Sequence, residues 1–275
     1  MAIKQLPKLY SPDFRLPNKK PVGDAEIDRS NKYGSRLEAG YLFKEKDYAR
    51  DINGKYDGDW GGGSSVTSLQ HGVAGQYLSF SGSASNANRF NIDSSKLRDL
   101  FDGTTPFTLV FYARTDDTAN NQAFFAISGT DDFIVYLSEG ANLEFRVYWR
   151  NAGGTVGTFN QVGTKYQGKW NRYVYTFDGV DDHNIFINNE NVGNFTFSGA
   201  GAGPYSTGPS MGGFAGASTQ YFGDDIASTF IFDSDFKGDI QGLANNPYQI
   251  LKPKQAPVYF TADAGGGGAS AAVTI

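Results

Sequence analysis

The feature that most constrains the fold is a series of short runs, from about residue 38 to residue 235, in which apolar and polar residues alternate. The runs are separated by glycine, asparagine and aspartate, as in the turn dipeptides Asn53-Gly54, Gly153-Gly154 and Asp178-Gly179. Alternation with a period of two is typical of a strand with one buried face. The chain has 35 glycines and 15% aromatic residues, which agrees with many turns and many strands. We therefore expect an all-β sandwich or jelly roll of two antiparallel sheets.

The run Asn142–Arg150 shows this period most clearly. One face carries Leu143, Phe145, Val147 and Trp149, and the other carries Glu144, Arg146, Tyr148 and Arg150. Nine strands are predicted: Gln76–Ser81, Phe107–Arg114, Gln122–Ser128, Phe133–Ser138, Asn142–Arg150, Trp170–Phe177, Asn184–Asn188, Asn191–Phe197 and Ile226–Phe232. Two short helices are predicted at residues 94–101 and 236–244, because their apolar residues recur three or four positions apart.

Both ends of the chain predict extended arms. Residues 1–23 contain four prolines and no helical or strand period, and residues 253–275 end in a stretch of glycine, alanine and serine. The expected organisation is an N-terminal arm (1–23), a β-sandwich body (24–252) and a C-terminal arm (253–275). The N-terminal arm is either a solvated tail or a segment that orders on a partner, and in the second case its anchors are Leu9, Tyr10, Phe14 and Leu16.

Charge separates the N-terminal arm from the body. Residues 1–23 carry five basic side chains and one acidic one, a net charge of +4, so the remainder contributes −9 to the total of −5. An acidic body predicts no nucleic-acid binding, and a basic arm favours docking to an acidic surface such as a second copy of the body. The chain has no cysteine, no apolar signal-peptide core at its start and no apolar run of 18 residues. We therefore expect folding in a cytoplasm, no disulfides and no membrane span.

No catalytic motif is complete. His71 and His183 are the two histidines, and His183, beside Asp181 and Asp182, is interpreted as a turn histidine. The string 208–212 matches G-x-S-x-G around Ser210 but lacks the strand and helix of a nucleophile elbow. The string 163–170 resembles a P-loop until Trp170, which has no hydroxyl for Mg²⁺.

Carboxylates raise two further alternatives, a glycosidase and a calcium site. Glu26 and Asp28 are the nearest approach to a glycosidase pair, but Asn31 stands where a third acid would be needed. Four acidic pairs occur in predicted loops: Asp116-Asp117, Asp131-Asp132, Asp181-Asp182 and Asp224-Asp225. None matches an EF-hand loop, so we interpret them as solvated turn acids and predict no cofactor and no metal, with calcium left as the open alternative.

Sugar binding by aromatic stacking and planar polar groups is a second class of function. The candidate residues for it are Trp60, Tyr148, Arg150, Tyr205 and Tyr221, each of which could instead serve in packing or in subunit contact.

Three stretches together resemble the laminin G-like, concanavalin A-like family. Residues 38–43 with 49–54 resemble its opening strand and turn, 168–179 with 184–188 resemble its Trp-initiated hairpin, and 223–232 resemble its closing strand. The resemblance implies that Tyr173, Tyr175 and Phe177 face the core. Residues 233–237 depart from the family's usual Asn-Arg-Ala-Leu-Ser step, so the final loop is expected to differ.

A narrower resemblance lies at the two ends of the body. Segments 21–31 and 243–253, the latter followed by 257–260, are similar to those that bracket laminin G-like proteins of tailed bacteriophages and prophages. This resemblance implies a place in virions and no fixed catalytic residues.

Three hypotheses of function follow. The first is a non-enzymatic virion protein, a capsid decoration, head fibre or tail-associated component, which forms homo-oligomers and docks to other virion proteins through its arms. The second is a carbohydrate-binding module that adsorbs to host surface polysaccharide. The third is a glycoside hydrolase.

Overall fold

The computed structural model describes residues 20–21, 25–45, 48–61, 67–80, 89–92, 95–115, 122–127, 133–138, 144–150, 156–162, 164–197, 208–213 and 222–254. The strands within these ranges are β1 (Ala25–Ile27), β2 (Leu37–Tyr41), β3 (Tyr48–Ala49), β4 (Gly58–Trp60), β5 (Thr67–Gly72), β6 (Gly75–Phe80), β7 (Phe90–Asn91), β8 (Phe107–Arg114), β9 (Gln122–Ile127), β10 (Phe133–Ser138), β11 (Glu144–Arg150), β12 (Val156–Val162), β13 (Trp170–Phe177), β14 (Asp182–Ile187), β15 (Glu190–Thr196), β16 (Ser210–Met211), β17 (Asp225–Phe232) and β18 (Leu251–Pro253). The α-helices are α1 (Ser95–Asp99) and α2 (Ile240–Asn245), and four 3-10 turns lie at Gly34–Arg36, Thr164–Tyr166, Lys237–Asp239 and Pro247–Ile250.

These strands form two large antiparallel sheets and one small ribbon. The front sheet has the order β12-β11-β10-β9-β16-β7-β4-β3. The back sheet has the order β15-β14-β13-β8-β17-β6-β5, and β2 also pairs with β17. Strands β1 and β18 pair with each other in what we call the terminal ribbon. The predicted all-β sandwich with two short helices is confirmed.

The core lies between the two sheets and is largely aromatic. Phe124 of the front sheet stacks on Phe111 of the back sheet with ring centroids 5.1 Å apart, and Phe145 stacks on Tyr173 at 5.4 Å. The residues implied by the family resemblance to face the core, Tyr173, Tyr175 and Phe177, are fully buried there. Strand β11 buries its predicted apolar face, with Phe145, Val147 and Trp149 almost completely enclosed.

A second apolar layer covers the outer side of the back sheet. Val110, Val174 and Phe230 of that sheet pack in one cluster with Leu243 of α2 and Tyr248. The terminal ribbon contributes further apolar side chains to the same layer. Segments close to both ends of the body therefore lie on the back of the sandwich. The outer side of the back sheet is covered by this apolar layer.

Lys20 is anchored within this body although the sequence assigns it to the N-terminal arm. Its side chain is 1% exposed. The ammonium donates hydrogen bonds to the carbonyl oxygens of Leu42, of Phe43 at 3.4 Å and of Ala227 at 3.2 Å. The backbone N–H of Lys20 donates to Ala74 at 3.3 Å. Lys20 and the buried Pro21 thus belong to the folded body.

The reason for this burial is a change of partner along β17. Ile226 still pairs with Leu78 of β6, whereas Thr229 already pairs with Tyr41 of β2. Ala227 lies between the two pairings, and buried backbone carbonyls at such a junction need donors. The Lys20 ammonium provides one. Burial, with a smaller contribution from the charge of Lys44, holds the pKa of Lys20 well below its usual 10.5.

Comparison of the predicted elements with the structure gives one correction. His183 is not a turn residue: it is the second residue of β14, pairs with Phe177 and is completely buried. Asp181 and Asp182 suggested a loop, but the strand begins two residues earlier than predicted, at Asp182, which pairs with Thr196. Alternation alone also leaves nine strands unpredicted, namely β1, β2, β3, β4, β5, β7, β12, β16 and β18; the family resemblance implies β2.

Candidate functional site

A single row of cross-strand neighbours runs over the outer side of the front sheet. In register it consists of Tyr48, Asp59, Asn91, Ser210, Ala126, Ile134 and Tyr148. We call it the front row. It crosses seven strands, and at about 4.8 Å between neighbouring strands it extends over about 29 Å. Side chains directly opposite each other in an antiparallel pair lie on the same side of the sheet, so the front row lies on one side of it, the front face. The middle of the row, at Ser210, Ala126 and Ile134, is buried.

The end of this face at β10 and β11 carries two half-buried tyrosines, Tyr136 and Tyr148. Tyr148 lies opposite Ile134, and Tyr136 lies opposite Arg146. Ala126 and Ile134 are buried beside the tyrosines. Both tyrosines stay partly exposed, so each retains some accessible aromatic surface.

Two arginines fix the polar groups of this aromatic end. Arg150 donates to the Tyr148 hydroxyl from Nε at 3.0 Å and from Nη2 at 2.6 Å, with its guanidinium carbon 5.6 Å from the ring centroid. Arg146 donates to one carboxylate oxygen of Glu144 from Nε at 2.8 Å and from Nη2 at 2.5 Å. Burial acts to lower the pKa of Arg146, but hydrogen bonds to Glu144 and Tyr136 outweigh it and raise that pKa. These polar groups are held in place before any ligand arrives.

The structure brings together only part of the predicted sugar-binding set. Tyr148 and Arg150 lie side by side on the front face. Trp60 lies on the inner side of β4, where its ring is 5.2 Å from that of Phe90 and 6.3 Å from that of Phe80. We therefore leave Trp60 out of the candidate site. Tyr205 and Tyr221 lie outside the described residues, as do the arm residues Leu9, Tyr10, Phe14 and Leu16.

Sequence reasoning missed Tyr136 and Arg146 as members of this site. The sequence does indicate that both side chains point outward, because both lie in predicted strands on the polar side of the alternation. What the sequence does not show is which strand lies next to which. The pairing of Tyr136 with Arg146 depends on the β10–β11 register.

The motifs rejected from the sequence have structural roles where they are described. The Ser210 hydroxyl donates to the carbonyl of Gly213 at 2.8 Å. Glu26 lies on the terminal ribbon, 3.3 Å from the Lys252 ammonium. Asp182 pairs with Lys237 at 2.5 Å, and Asp225 accepts from Arg114 at 2.8 Å. Within the described ranges no three histidine, aspartate or glutamate side chains converge as metal ligands, and no helix is long and apolar enough to cross a membrane.

A family described as the concanavalin A-like lectin/glucanases superfamily matches residues 74–239, which is more than half of the chain. The chain belongs to this superfamily. The match includes β6 to β17 and thus most of both sheets. A search of curated proteins found no match.

Solved structures of low sequence identity share the fold. The binding domain of Paraclostridial mosquitocidal protein 1 is similar over 76% of this chain and 52% of that one, at 12% identity and a TM-score of 0.59. The botulinum neurotoxin type G receptor-binding domain is similar over 76% and 51%, at 11% identity and a TM-score of 0.55. The chain spans about half the length of these two domains. Domain 4 of an extracellular arabinanase from Geobacillus stearothermophilus, solved with arabinotriose, is similar over 76% and 98%, at 14% identity and a TM-score of 0.53.

Proposed function

We propose that the chain is a non-enzymatic structural protein of a tailed bacteriophage particle whose body adsorbs to bacterial surface polysaccharide through the front face. The capsid decoration, head fibre and tail-associated positions all fit this role. The observation that carries the proposal is the aromatic end of the front face, where the partly exposed Tyr136 and Tyr148 pack against the buried Ala123, Ala126 and Ile134. The similar structures include two toxin binding domains and a domain solved with arabinotriose, which agrees with a binding role.

The geometry of the aromatic end suits a sugar ring. Tyrosine rings offer a flat apolar surface to the C–H face of a pyranose, and the neighbouring guanidinium and carboxylate groups match its hydroxyls. The Arg150–Tyr148 and Arg146–Glu144 contacts already hold these groups, so binding needs little further ordering of side chains. A preorganised, partly exposed face of this kind favours adsorption.

The same contacts argue against hydrolysis at this face. A glycosidase needs one protonated carboxylic acid and one free carboxylate on either side of the bond that breaks. The Glu144 carboxylate is engaged by two hydrogen bonds from Arg146, so it is not positioned as a free acid for a glycosidic oxygen. This supports the non-enzymatic part of the proposal.

The position of the chain ends supports attachment to a larger particle. The two segments that resemble phage proteins contain the terminal ribbon, in which Ala25 pairs with Pro253 and Ile27 pairs with Leu251. Lys20, where the chain enters the body, contacts Ala74 and Ala227 of the apolar layer that the ribbon also joins, so entry and exit both lie on the back of the sandwich. Arms that begin there, with Leu9, Tyr10, Phe14 and Leu16 as anchors on one of them, can engage one neighbouring subunit while the front face is directed away from it.

Replacement of Tyr148 by alanine is expected to weaken polysaccharide binding by at least about tenfold, since loss of one central aromatic contact is worth about 1.4 kcal/mol or more. Isothermal titration of the full chain with a panel of bacterial surface polysaccharides measures this effect. Tyr77→Ala is the matched control, because Tyr77 is a half-buried tyrosine on the back sheet whose ring packs 5.0 Å from Trp170. Equal affinity of the Tyr148→Ala variant and the wild type, or release of reducing sugar by the wild type, contradicts the proposal.

A further inference from the structure

Strand β5 lies at one end of the back sheet and pairs with β6 along one edge. Within the described part of the chain, no strand pairs with its other edge. Ser68 and residues 70–72 are exposed, so this edge is open to solvent. An open edge presents unpaired backbone N–H and C=O groups, which are a template for one more strand.

The other three ends of the two large sheets are either packed together or short. Strand β12 of the front sheet lies against β15 of the back sheet. Strand β3, at the remaining end, has only two residues. Strand β5 has six residues and contains no lysine, arginine, aspartate, glutamate or proline, although charge and proline are common means of preventing pairing at a sheet edge. The sequence of β5 therefore permits strand addition.

The two sides of β5 differ in polarity. Leu69 is half-buried and packs against the core between the sheets, opposite Leu78 of β6. Ser68 and Gln70 lie on the other side and are exposed, and the Gln70 amide donates to the Ser68 hydroxyl at 3.0 Å. A strand that matches β5 therefore needs apolar side chains on the core side and polar side chains on the outer side.

Residues 13–16 of the N-terminal arm have this alternation. Phe14 and Leu16 fall on one side of an extended segment, and the two charged residues of the segment fall on the other. Leu9 and Tyr10 are adjacent in sequence, so in an extended segment they fall on opposite sides. A proline flanks residues 13–16 at each end, and since proline has no N–H to donate, the matching segment is four residues long.

The arm leaves the body beside the turn that joins β5 to β6. The Lys20 N–H donates to the carbonyl of Ala74, which lies in that turn, at 3.3 Å. An arm that ran from this point along its own β5 would be parallel to it, because both segments would have their lower numbers at the Thr67 end. Every described pair of the back sheet is antiparallel, and antiparallel pairing is slightly more stable. The arm of a second copy can enter in the antiparallel direction.

The short reach of the arm determines how two such copies are arranged. Leu16 is four residues from Lys20, a distance of at most about 14 Å in an extended chain. The β5–β6 turns of the two copies therefore lie close to each other. Val73, in this turn, is 82% exposed, and the contact between the copies covers it.

We propose that the open edge of β5 binds residues 13–16 of the N-terminal arm of a second copy of this chain, as an added antiparallel strand. Phe14 and Leu16 lie beside Leu69 and extend the core, while the backbone groups of the edge gain hydrogen-bond partners. Reciprocal exchange closes a two-fold dimer, because each copy offers one arm and one edge. The proposal rests on the part of the proposed function that gives the arms a docking role, and it adds the strand to which the arm binds.

Sedimentation velocity of the full chain over a range of concentrations tests the exchange. Wild type is expected to form a dimer. In the Phe14→Pro/Arg15→Pro variant, which removes two backbone donors from the added strand, the dissociation constant is expected to rise at least about tenfold, or about 1.4 kcal/mol. Ile3→Pro/Lys4→Pro is the matched control, because it removes an apolar side chain, a basic side chain and two donors from another part of the arm.

The edge itself is tested by Leu69→Lys, which places a charge on the side of β5 that receives Phe14 and Leu16. The variant is expected to weaken the dimer by a similar factor. Val192→Lys is the control, because Val192 is also half-buried against the core but lies on β15, at the other end of the back sheet. Thermal unfolding of both variants checks that they fold, and the arm variants decide the test if Leu69→Lys does not.

The outcomes separate this proposal from the proposed function. A monomeric wild type overturns the exchange, and so does a dimer that persists in Phe14→Pro/Arg15→Pro or in folded Leu69→Lys. Equal weakening by Ile3→Pro/Lys4→Pro also overturns it, because the contact then involves another part of the arm. Polysaccharide binding is measured on the same samples. A monomer whose binding depends on Tyr148 leaves the front face standing, whereas a dimer that binds no polysaccharide overturns the front face and leaves the exchange standing.

Discussion

Replacement of Lys20 by methionine is expected to lower the free energy of unfolding by about 3 kcal/mol at neutral pH. The variant leaves the carbonyls of Leu42, Phe43 and Ala227 without this donor, and each buried hydrogen bond lost without replacement costs about 1 kcal/mol or more. Urea unfolding followed by tryptophan fluorescence measures the change. Lys252→Met is the control, because its ammonium is half-exposed and its pairing with Glu26 is a surface contact worth little. A Lys20→Met variant as stable as the wild type would show that the ammonium does not fasten the junction.

The same residue makes stability depend on pH in alkaline solution. Burial lowers the pKa of Lys20 in the folded chain, so below pH 10.5 the unfolded chain binds more protons at this site than the folded chain does. Stability therefore rises with pH in the window between the folded-state pKa and 10.5, by up to about 1.4 kcal/mol per pH unit. In a series of unfolding measurements from pH 7 upward, the stability of the wild type is expected to rise once the pH exceeds the folded-state pKa of Lys20. The Lys20→Met variant is expected to show no such rise. Identical pH profiles of the two proteins up to pH 10 would contradict this account.

Acidification is expected to destabilise the chain through His183. The Nε2 atom lies 3.0 Å from the Phe197 carbonyl, which only accepts, so Nε2 carries the proton and Nδ1 accepts from the Tyr175 hydroxyl at 2.6 Å. This is a neutral imidazole. It stacks on Phe195 with ring centroids 4.3 Å apart, and protonation of Nδ1 would replace the hydrogen bond that Tyr175 donates to it. Burial lowers the pKa of His183, against smaller raising effects of the Phe197 carbonyl and of nearby aspartates.

The direction of this change in stability follows from proton binding. As pH falls through 6.5, the unfolded chain takes up a proton at His183 while the folded chain does not. Stability is therefore lost by about 1.4 kcal/mol per pH unit until the folded-state pKa is reached. Unfolding measured at pH 7, 6 and 5 should show this slope in wild type and in His71→Gln, because His71 is exposed. The slope should be reduced by that amount in His183→Gln. Equal slopes in all three proteins would show that His183 is protonated without cost to the fold.

The sequence predicts the body well where the signal is local. The alternation at residues 142–150 predicts both the strand and its two faces, since a period of two needs no knowledge of neighbouring strands. Strands of two or three residues, such as β3, β7 and β16, are too short for a period to be visible. These short segments form strands because the strands beside them offer backbone hydrogen-bond partners. The course of β17 between β6 and β2 is likewise a property of the whole sheet, and it explains why Lys20 belongs to the body and not to the arm.

Some residues of the candidate site can likewise be predicted from local sequence, and others cannot. Tyr148 and Arg150 are recognisable because they lie on the polar face of a strand whose other face is apolar. Trp60 was selected for its chemistry alone, and the register of β4 with β7 places it opposite Phe90 on the inner side. The meeting of Tyr136 with Arg146 could not be predicted, because it depends on the register of β10 with β11. Pairing between distant parts of the chain therefore determines which polar residues become a site.

The central claim is that the front face is directed outward while the back of the body fastens to a phage particle. An electron-microscopy map of the native particle tests it most directly. The account predicts density for the sandwich on the particle surface, with the terminal ribbon toward the shell or tail and with Tyr136 and Tyr148 facing solvent. Particles that carry no copy of the body, or copies whose front face is buried against the particle, would contradict it.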